Sequence, residues 1–146
     1  MPFQGHWWRC GDCLAMFFSD SPNMGVCPAG GGHQRGQQFV LQHDVAENPN
    51  AQGGWRFCGK CQGMFFDGFP SKGVCPAGGG HSAAGFNFVL PHDVPGDPPE
   101  QPDWRFCDKC NVMFFNGSAS NGACAAGGGH NAQGFNFVLR PGQIMD

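Results

Sequence analysis

Short runs of aromatic and β-branched residues alternate along the chain with glycine- and proline-rich breaks. In the middle of the chain these runs cover residues 55–58, 63–66, 73–75 and 86–90. Such runs are typical of short β-strands. No segment shows the sustained 3.6-residue apolar period that would predict a helix. The pattern therefore predicts an all-β chain with four short strands in this unit.

The same pattern occurs three times. Segments 55–90 and 104–139 are identical at 25 of 36 aligned positions, and segment 7–41 follows the same order with one residue fewer. Two 13-residue connectors with matching His-Asp-Val segments separate the copies. We therefore divide the chain into repeat 1 (1–41), a connector (42–54), repeat 2 (55–90), a connector (91–103), and repeat 3 with a C-terminal tail (104–146).

All nine cysteines fall into these repeats at one spacing, C-x2-C-x13-C-x5-H. Three thiols and one imidazole form the ligand set of a tetrahedral zinc site. The three sets are Cys10, Cys13, Cys27 and His33; Cys58, Cys61, Cys75 and His81; and Cys107, Cys110, Cys124 and His130. Because each set supplies four ligands and leaves no open coordination position, we expect three structural Zn²⁺ ions.

Two other uses of the cysteines fit the sequence less well than zinc. Three cysteines per repeat cannot pair internally without one left over, and a disulfide framework has no use for the histidine in register. An iron–sulfur cluster with one histidine ligand is the metal alternative. The 13-residue gap and the lack of further ligands favour zinc over such a cluster.

The ligand turns W-R-F-C-G-K-C (55–61) and W-R-F-C-D-K-C (104–110) resemble those of the zinc-ribbon and zinc-knuckle class. In that class a second ligand turn faces the first, a role that C-P-A-G-G-G-H (75–81) would take here. Its five-residue gap departs from the usual short C-x2-C turn. The resemblance covers the ligand turns alone and implies a zinc-centred β fold without implying an activity.

Each repeat is too short to bury a sizeable core, so the metal and contacts between repeats both matter. We expect three tandem zinc-centred hairpin repeats closed with pseudo-threefold symmetry. Twelve strands in six hairpins would match the strand count of a β-trefoil. Three zinc-ribbon beads on linkers are the alternative. The equal connectors favour the closed form, although a recent duplication would also leave them alike.

Composition and charge restrict the binding partners and the cellular compartment that the sequence predicts. The chain contains no apolar run of 18 residues, so the sequence predicts no membrane span. The N-terminal residues do not read as a signal peptide. Together with reduced thiols, this favours the cytoplasm, with release from the cell by another route left open.

The net charge is −3, and nine thiolates with three zinc ions would make it about −6. With no cluster of basic residues, this argues against nucleic-acid binding.

Several repeated residues outside the metal sets are candidates for ligand binding. A tryptophan precedes the first ligand of each repeat and could stack on a sugar ring, with an arginine beside it. Alternatively, the tryptophan covers the metal site and the arginine offsets its negative charge. An asparagine between two phenylalanines could meet a ligand or be a satisfied surface amide. These candidates are Trp7, Trp55, Arg56, Asn87, Trp104, Arg105 and Asn136.

The pairs His43-Asp44 and His92-Asp93 have the composition of an acid–base pair. Repeat 3 has Arg140-Pro141 in this place, which favours a turn or a positioning role over catalysis. The sequence contains no nucleophile motif, phosphate loop or paired carboxylates. We therefore expect that the protein is not an enzyme.

The functional prediction is a non-enzymatic, zinc-stabilised recognition module with up to three equivalent sites. Its expected ligand is a glycan or another cell-surface group, bound in the manner of a lectin. Three weak sites would gain avidity on a partner that displays several copies of the ligand. The alternative is an intracellular zinc-ribbon adaptor that binds protein or, less readily, nucleic acid. An enzyme with an open zinc site ranks last.

Overall fold

The computed structural model describes residues 3–20, 22–96 and 99–142, which form three similar units of three strands each. No helix occurs in these ranges, and thus no helical candidate for a membrane span. The all-β prediction is confirmed. Unit 1 contains β1 (Phe3–Cys10), β2 (Met16–Phe18) and β3 (Arg35–Gln42); unit 2 contains β4 (Ala51–Cys58), β5 (Met64–Phe66) and β6 (Ala83–Pro91); unit 3 contains β7 (Gln101–Cys107), β8 (Met113–Phe115) and β9 (Ala132–Pro141).

Within a unit, the long first strand pairs on both sides with antiparallel partners. In unit 2, Trp55 of β4 lies opposite Phe66 of β5 and opposite Phe88 of β6. The register shifts between Gln52 and Trp55, and again between Trp55 and Phe57. Units 1 and 3 repeat the three-stranded arrangement around Trp7 and Trp104.

The predicted strand over residues 73–75 is not present, and this prediction was wrong. Gly73 has a left-handed φ of 73°, and a Cβ at this residue would lie 2.4 Å from the carbonyl oxygen of Cys110. The segment therefore packs its backbone against the next unit and does not pair as a strand. The described residues form nine strands, so the twelve-strand count behind the β-trefoil comparison is not met.

Backbone contacts join each unit to the next and return from the third unit to the first. Isolated β-bridges pair Phe17 with Gly63, Phe65 with Val112, and Phe114 with Ala15. Beside them, the amides of Phe18, Phe66 and Phe115 donate to the carbonyls of Gln62, Asn111 and Leu14, at 3.0, 2.9 and 3.0 Å. The units therefore pack as a closed ring, and the alternative of separate beads is not what the structure shows.

Strand pairing also joins units 1 and 3 on one side of the ring. Phe39 and Val40 of β3 pair with Pro141 and Arg140 of β9, which joins units 1 and 3 in a six-stranded sheet with order β2-β1-β3-β9-β7-β8. Unit 2 contributes a separate three-stranded sheet with order β5-β4-β6.

The connectors belong partly to the units. Strand β4 begins at Ala51 and β7 at Gln101, inside the segments predicted as connectors. The amide of Gly53 donates to the carboxylate of Glu47 at 2.6 Å, which holds one connector against the strand that it precedes. Residues 143–146 of the predicted tail lie outside the described residues.

Two buried clusters fill the ring. The first, called the cysteine core, contains all nine cysteines and one phenylalanine from each unit: Phe17, Phe65 and Phe114. The second, called the aromatic core, contains a tryptophan, a methionine, a phenylalanine and a leucine from each unit. Its members are Trp7, Met16, Phe39, Leu41, Trp55, Met64, Phe88, Leu90, Trp104, Met113, Phe137 and Leu139.

Candidate metal centre

Two tight turns in each unit present the four predicted ligands. In unit 1, Cys10 ends β1 and Cys13 lies in the turn before β2. Cys27 opens the glycine turn that leads to His33. Within that turn, the Gly30 amide donates to the Cys27 carbonyl at 2.9 Å and the Cys27 amide donates to the Gly31 carbonyl at 2.9 Å. Both glycines have positive φ, which explains why this short turn needs glycine.

The predicted ligands come together in three buried groups. In each group, one ligand atom from every residue lies within 4.8 Å of all the others. The Cys10 and Cys27 sulfurs are 3.8 Å apart, and the Cys13 sulfur is 3.6 Å from Nδ1 of His33. The corresponding distances are 3.9 and 3.6 Å in unit 2, and 3.9 and 3.5 Å in unit 3. These three sites could hold metal ions.

Backbone amides surround the sulfurs. The amides of Cys13 and Gln34 each lie 3.4 Å from the Cys10 sulfur, and the amide of Ala29 lies 3.4 Å from the Cys27 sulfur. N–H groups aimed at sulfur favour the thiolate, which is the form that binds a metal.

The histidines connect the three sites to one another. The Nε2 atom of His33 lies 3.1 Å from the Cys61 carbonyl oxygen in the next unit. The same contact joins His81 to Cys110 at 2.9 Å and His130 to Cys13 at 3.0 Å. A histidine that ligates through Nδ1 carries its proton on Nε2 and donates it to such a carbonyl. Each site is therefore oriented by a cysteine carbonyl of its neighbour.

A glycine in each unit allows this close approach. A Cβ at Gly25 would lie 2.2 Å from the Cys61 carbonyl oxygen, and a Cβ at Gly122 would lie 2.2 Å from that of Cys13. Gly73 makes the equivalent approach to Cys110. All three have left-handed φ near 70°, so both the contact and the backbone conformation require glycine.

The thiols of one site differ in pKa. In every unit the hydrogen bond from the second cysteine of the C-x2-C turn lowers the pKa of the first to about 3, although burial opposes this; these are Cys10, Cys58 and Cys107. The same hydrogen bonds and burial raise the pKa of the donors Cys13, Cys61 and Cys110. Hydrogen bonds from Cys13 and Cys110 also lower the pKa of Cys27 and Cys124, whereas burial raises the pKa of Cys75. At least one thiolate per site therefore forms readily, and a bound cation would be needed to stabilise the thiolates of the cysteines whose pKa is raised.

The tryptophans are not accessible platforms. Trp7, Trp55 and Trp104 are each 0% exposed, so no indole face can stack on a sugar ring, and that part of the prediction is corrected. They belong to the aromatic core, so they do not cover the cysteine core either. Each indole N–H donates to the glutamine three residues earlier, at 2.8 to 3.1 Å.

The other candidate residues hold the backbone. Arg56 donates through Nε to the Phe86 carbonyl at 3.1 Å and through a terminal nitrogen to the Gly85 carbonyl at 3.0 Å. Arg105 makes the same pair of hydrogen bonds to Phe135 and Gly134. The side-chain oxygens of Asn87 and Asn136 accept the amides of Gly54 and Asp103, at 2.7 and 2.8 Å. These four residues remain partly accessible, but their polar groups already brace strands.

The His-Asp pairs contact aromatic rings of the following unit. Nδ1 of His43 lies 2.8 Å from the Asp44 carboxylate, and the imidazole stacks on Phe86 with ring centroids 3.7 Å apart. In the second copy the imidazole of His92 lies 2.9 Å from the Asp93 carboxylate and stacks on Phe135 at 3.7 Å. This arrangement fits the predicted positioning role.

The accessible aromatic surface lies at residues that the sequence interpretation did not single out. Phe69 is 50% exposed, and Phe86 and Phe135 are each 42% exposed. They line cavities at the boundaries between units. The repeated Phe-Asn-Phe segment carried only part of the signal, because alternation places both phenylalanines on one strand face although the first is exposed and the second is buried.

Comparison with known proteins gives no further identification. The chain matches no protein-family model, and it has no significant match among curated proteins or among solved structures. The resemblance of the ligand turns to the zinc-ribbon and zinc-knuckle class therefore stays a prediction. The functional conclusions below depend on the geometry of this chain alone.

Proposed function

We propose that each Cys3His group holds a structural Zn²⁺ ion. Zinc–sulfur bonds of about 2.3 Å in a tetrahedron place two sulfurs about 3.8 Å apart, close to the 3.8 and 3.9 Å between the cysteine pairs here. Thiolates with one imidazole form a donor set that suits zinc. The nine cysteines are free and buried, which supports a reducing compartment such as the cytoplasm.

Burial supports a structural role for the metal over a catalytic one. All twelve ligands are buried, and each site has four protein ligands without needing a water molecule. A catalytic zinc keeps an open position for water or substrate. We therefore propose that the protein is not an enzyme.

We propose that the ring is a non-enzymatic recognition module that binds a glycan or another cell-surface ligand in the manner of a lectin. The observation that carries this is a pair of aromatic-lined cavities at equivalent boundaries between units. Half-exposed phenylalanines, and not the tryptophans, provide the stacking surface. The metals fix the units, and the units together form the cavities.

A glycan array tests this proposal. The zinc-loaded protein should retain neutral glycans, and titration calorimetry should then give a measurable affinity. Phe135→Ala should weaken that affinity without changing the metal content, because Phe135 lies outside the metal sites. Silence across a broad array would contradict the glycan version.

A protein-binding adaptor is the second candidate, favoured by the exposure of two apolar side chains in unit 2. Phe69 is 50% exposed and Val74 is 39% exposed. Selection from a random peptide library would enrich apolar sequences if this version is correct, and Phe69→Ala would abolish their binding. The acidic net charge predicts no shift of nucleic acid in a gel at low salt.

A further inference from the structure

We infer that each chain has two sites for one neutral sugar ring, at the boundaries between units 1 and 2 and between units 2 and 3, and that the boundary between units 3 and 1 lacks such a site. This inference rests on the proposed glycan binding and specifies its location, ligand class and stoichiometry. We call the three places boundary 1–2, boundary 2–3 and boundary 3–1.

The cavity at boundary 2–3 has aromatic walls and amides among its lining residues. Its volume is about 290 Å³, and its lining includes Phe66 and Phe69 of unit 2 and Phe106 and Phe135 of unit 3. The rings of Phe66 and Phe69 lie 5.1 Å apart, and Phe106 lies 6.0 Å from Phe66. These rings form an apolar concave surface built by two units.

One wall of this cavity is held in place before any ligand binds. Phe135 is stacked on His92, whose imidazole is nearly parallel to it, and His92 is anchored by Asp93. Arg105 binds the carbonyl oxygen of Phe135 at 3.0 Å. Because ring and backbone are both fixed, a ligand that stacks on Phe135 pays little ordering entropy.

Boundary 1–2 has a similar cavity with aromatic walls. Its cavity of about 230 Å³ is lined by Phe18 of unit 1 and by Phe57 and Phe86 of unit 2, with Gln4 among its lining residues. The rings of Phe18 and Phe57 are 5.9 Å apart. His43 fixes Phe86 as His92 fixes Phe135. The two boundaries therefore share three equivalent aromatic walls, and Phe69 adds a fourth at boundary 2–3 alone.

The lining predicts the chemical class of the ligand. None of the described residues that line the two cavities carries a formal charge, so a neutral ligand suits them. Gln52 uses its Oε1 to accept the Trp55 indole N–H at 3.1 Å, which leaves its amide N–H groups for a ligand oxygen. A pyranose offers an apolar C–H face to the phenylalanines and hydroxyls to the amides. Both volumes lie just below the usual range for drug-sized ligands, about 300–1,000 Å³, which suits a single ring.

Boundary 3–1 carries different side chains at the equivalent positions. Arg9 stands where the other units have Phe57 and Phe106, and Gln37 stands where they have Phe86 and Phe135. Two of the aromatic walls are therefore replaced by polar groups.

Both polar side chains contact residues of unit 3 across the boundary. The Arg9 guanidinium carbon lies over the Phe115 ring, 5.6 Å from its centre. Gln101, the equivalent of Gln52, donates to Gln37 at 3.0 Å. A cation lies over the ring, the Gln101 amide already donates to Gln37, and two aromatic walls are missing, so a neutral sugar should not bind here.

Nuclear magnetic resonance titration with single sugars tests the stoichiometry. The zinc-loaded full chain is titrated separately with methyl β-glucoside, methyl β-galactoside and N-acetylglucosamine. For at least one of them, the side-chain amides of Gln4 and Gln52 and the rings of Phe86 and Phe135 should shift, while the Gln101 amide stays unchanged. Shifts at all three boundaries, or only away from the cavities, would overturn this inference while leaving glycan binding intact. No shift with any sugar, together with a silent array, would overturn the proposed function itself.

Reciprocal substitutions should add a sugar site at one boundary and remove it at another. Arg9→Phe combined with Gln37→Phe should create a third site, and Phe106→Arg should remove the site at boundary 2–3 alone. His92→Ala should weaken that site about tenfold or less, because the Phe135 ring stays but loses its support. Three bound zinc ions in each variant show that the fold is intact. If Phe106→Arg keeps the metals and still binds the sugar at boundary 2–3, the assignment is wrong.

Discussion

The cysteine core and the boundaries between units obey the threefold repeat to different degrees. Every unit places the same ligands at nearly the same distances, and every histidine reaches a cysteine carbonyl of its neighbour. At the boundaries, by contrast, Arg9 and Gln37 break the repeat in unit 1. A metal site fixes four donor atoms in space, so each of its positions must remain a metal ligand, whereas a partly solvated aromatic contact accepts a cation over the ring.

Removal of the metal ions should destabilise the protein most, because the cysteine core would lose the ions that hold its ligands together. A structural zinc contributes about 10–16 kcal/mol to the folding of a small domain. We expect a strong chelator to abolish the cooperative thermal transition and the dispersed amide spectrum, and added zinc to restore both. A chelated, metal-free chain that still melts cooperatively would show that the aromatic core suffices alone.

The close approach of units at the cysteine core can be tested without touching a ligand. Gly73→Ala places a Cβ 2.4 Å from the Cys110 carbonyl oxygen, at a left-handed φ. We expect a loss of about 3 kcal/mol in unfolding free energy, measured by urea denaturation of the zinc-loaded protein.

Gly59→Ala is the matched control, since its Cβ would meet its nearest neighbour at an ordinary 3.8 Å. It should change the unfolding free energy by less than about 0.5 kcal/mol. Equal effects of the two substitutions would mean that the contact between units 2 and 3 is not as tight as described.

The hydrogen bond between neighbouring sites can be separated from metal ligation. His130→Cys keeps four metal ligands but removes the Nε2–H bond to the Cys13 carbonyl. We expect three bound zinc ions and a loss of about 1 kcal/mol. Native mass spectrometry during zinc addition should show mainly empty and fully loaded wild-type chains, and more partly loaded chains of the variant. Independent loading of wild-type sites would contradict the coupling through the histidines.

Restoring the repeat at the boundary should have a small effect of the opposite sign. The Nε atom of Arg9 is buried and has no hydrogen-bond partner among the described residues. Arg9→Phe removes this unpaired donor and matches the other two units. We expect a gain of about 1 kcal/mol in thermal or urea unfolding, and a loss of stability would mean that the cation over Phe115 matters more.

Much of the cysteine core could be predicted from the sequence because metal ligands have fixed spacings. One spacing in three copies predicted all twelve ligands, and the glycines between Cys75 and His81 predicted a tight turn. The closure of the ring was predicted only as one of two alternatives. Its decisive contacts, such as His130 to Cys13, join residues 117 positions apart, and no local pattern encodes them.

The candidate binding residues were harder to predict because burial depends on the neighbouring unit. Trp55 has the residue type of a sugar platform, but Phe137 and Phe106 of unit 3 pack against it. Phe135 carried no separate prediction and is half exposed. Residues 73–75 match the pattern of a short run between glycine and proline, but the positive φ at Gly73 is incompatible with a strand there.

Substitution with Co²⁺ tests most directly the claim that three closed Cys3His sites build this molecule. We expect three equivalents to bind, with intense visible bands of tetrahedral coordination and a sulfur-to-cobalt charge-transfer band for three thiolates per ion. His130→Cys should raise the thiolate count at one site only. Fewer than three equivalents, or the weak spectrum of a five- or six-coordinate ion that carries water, would contradict the account.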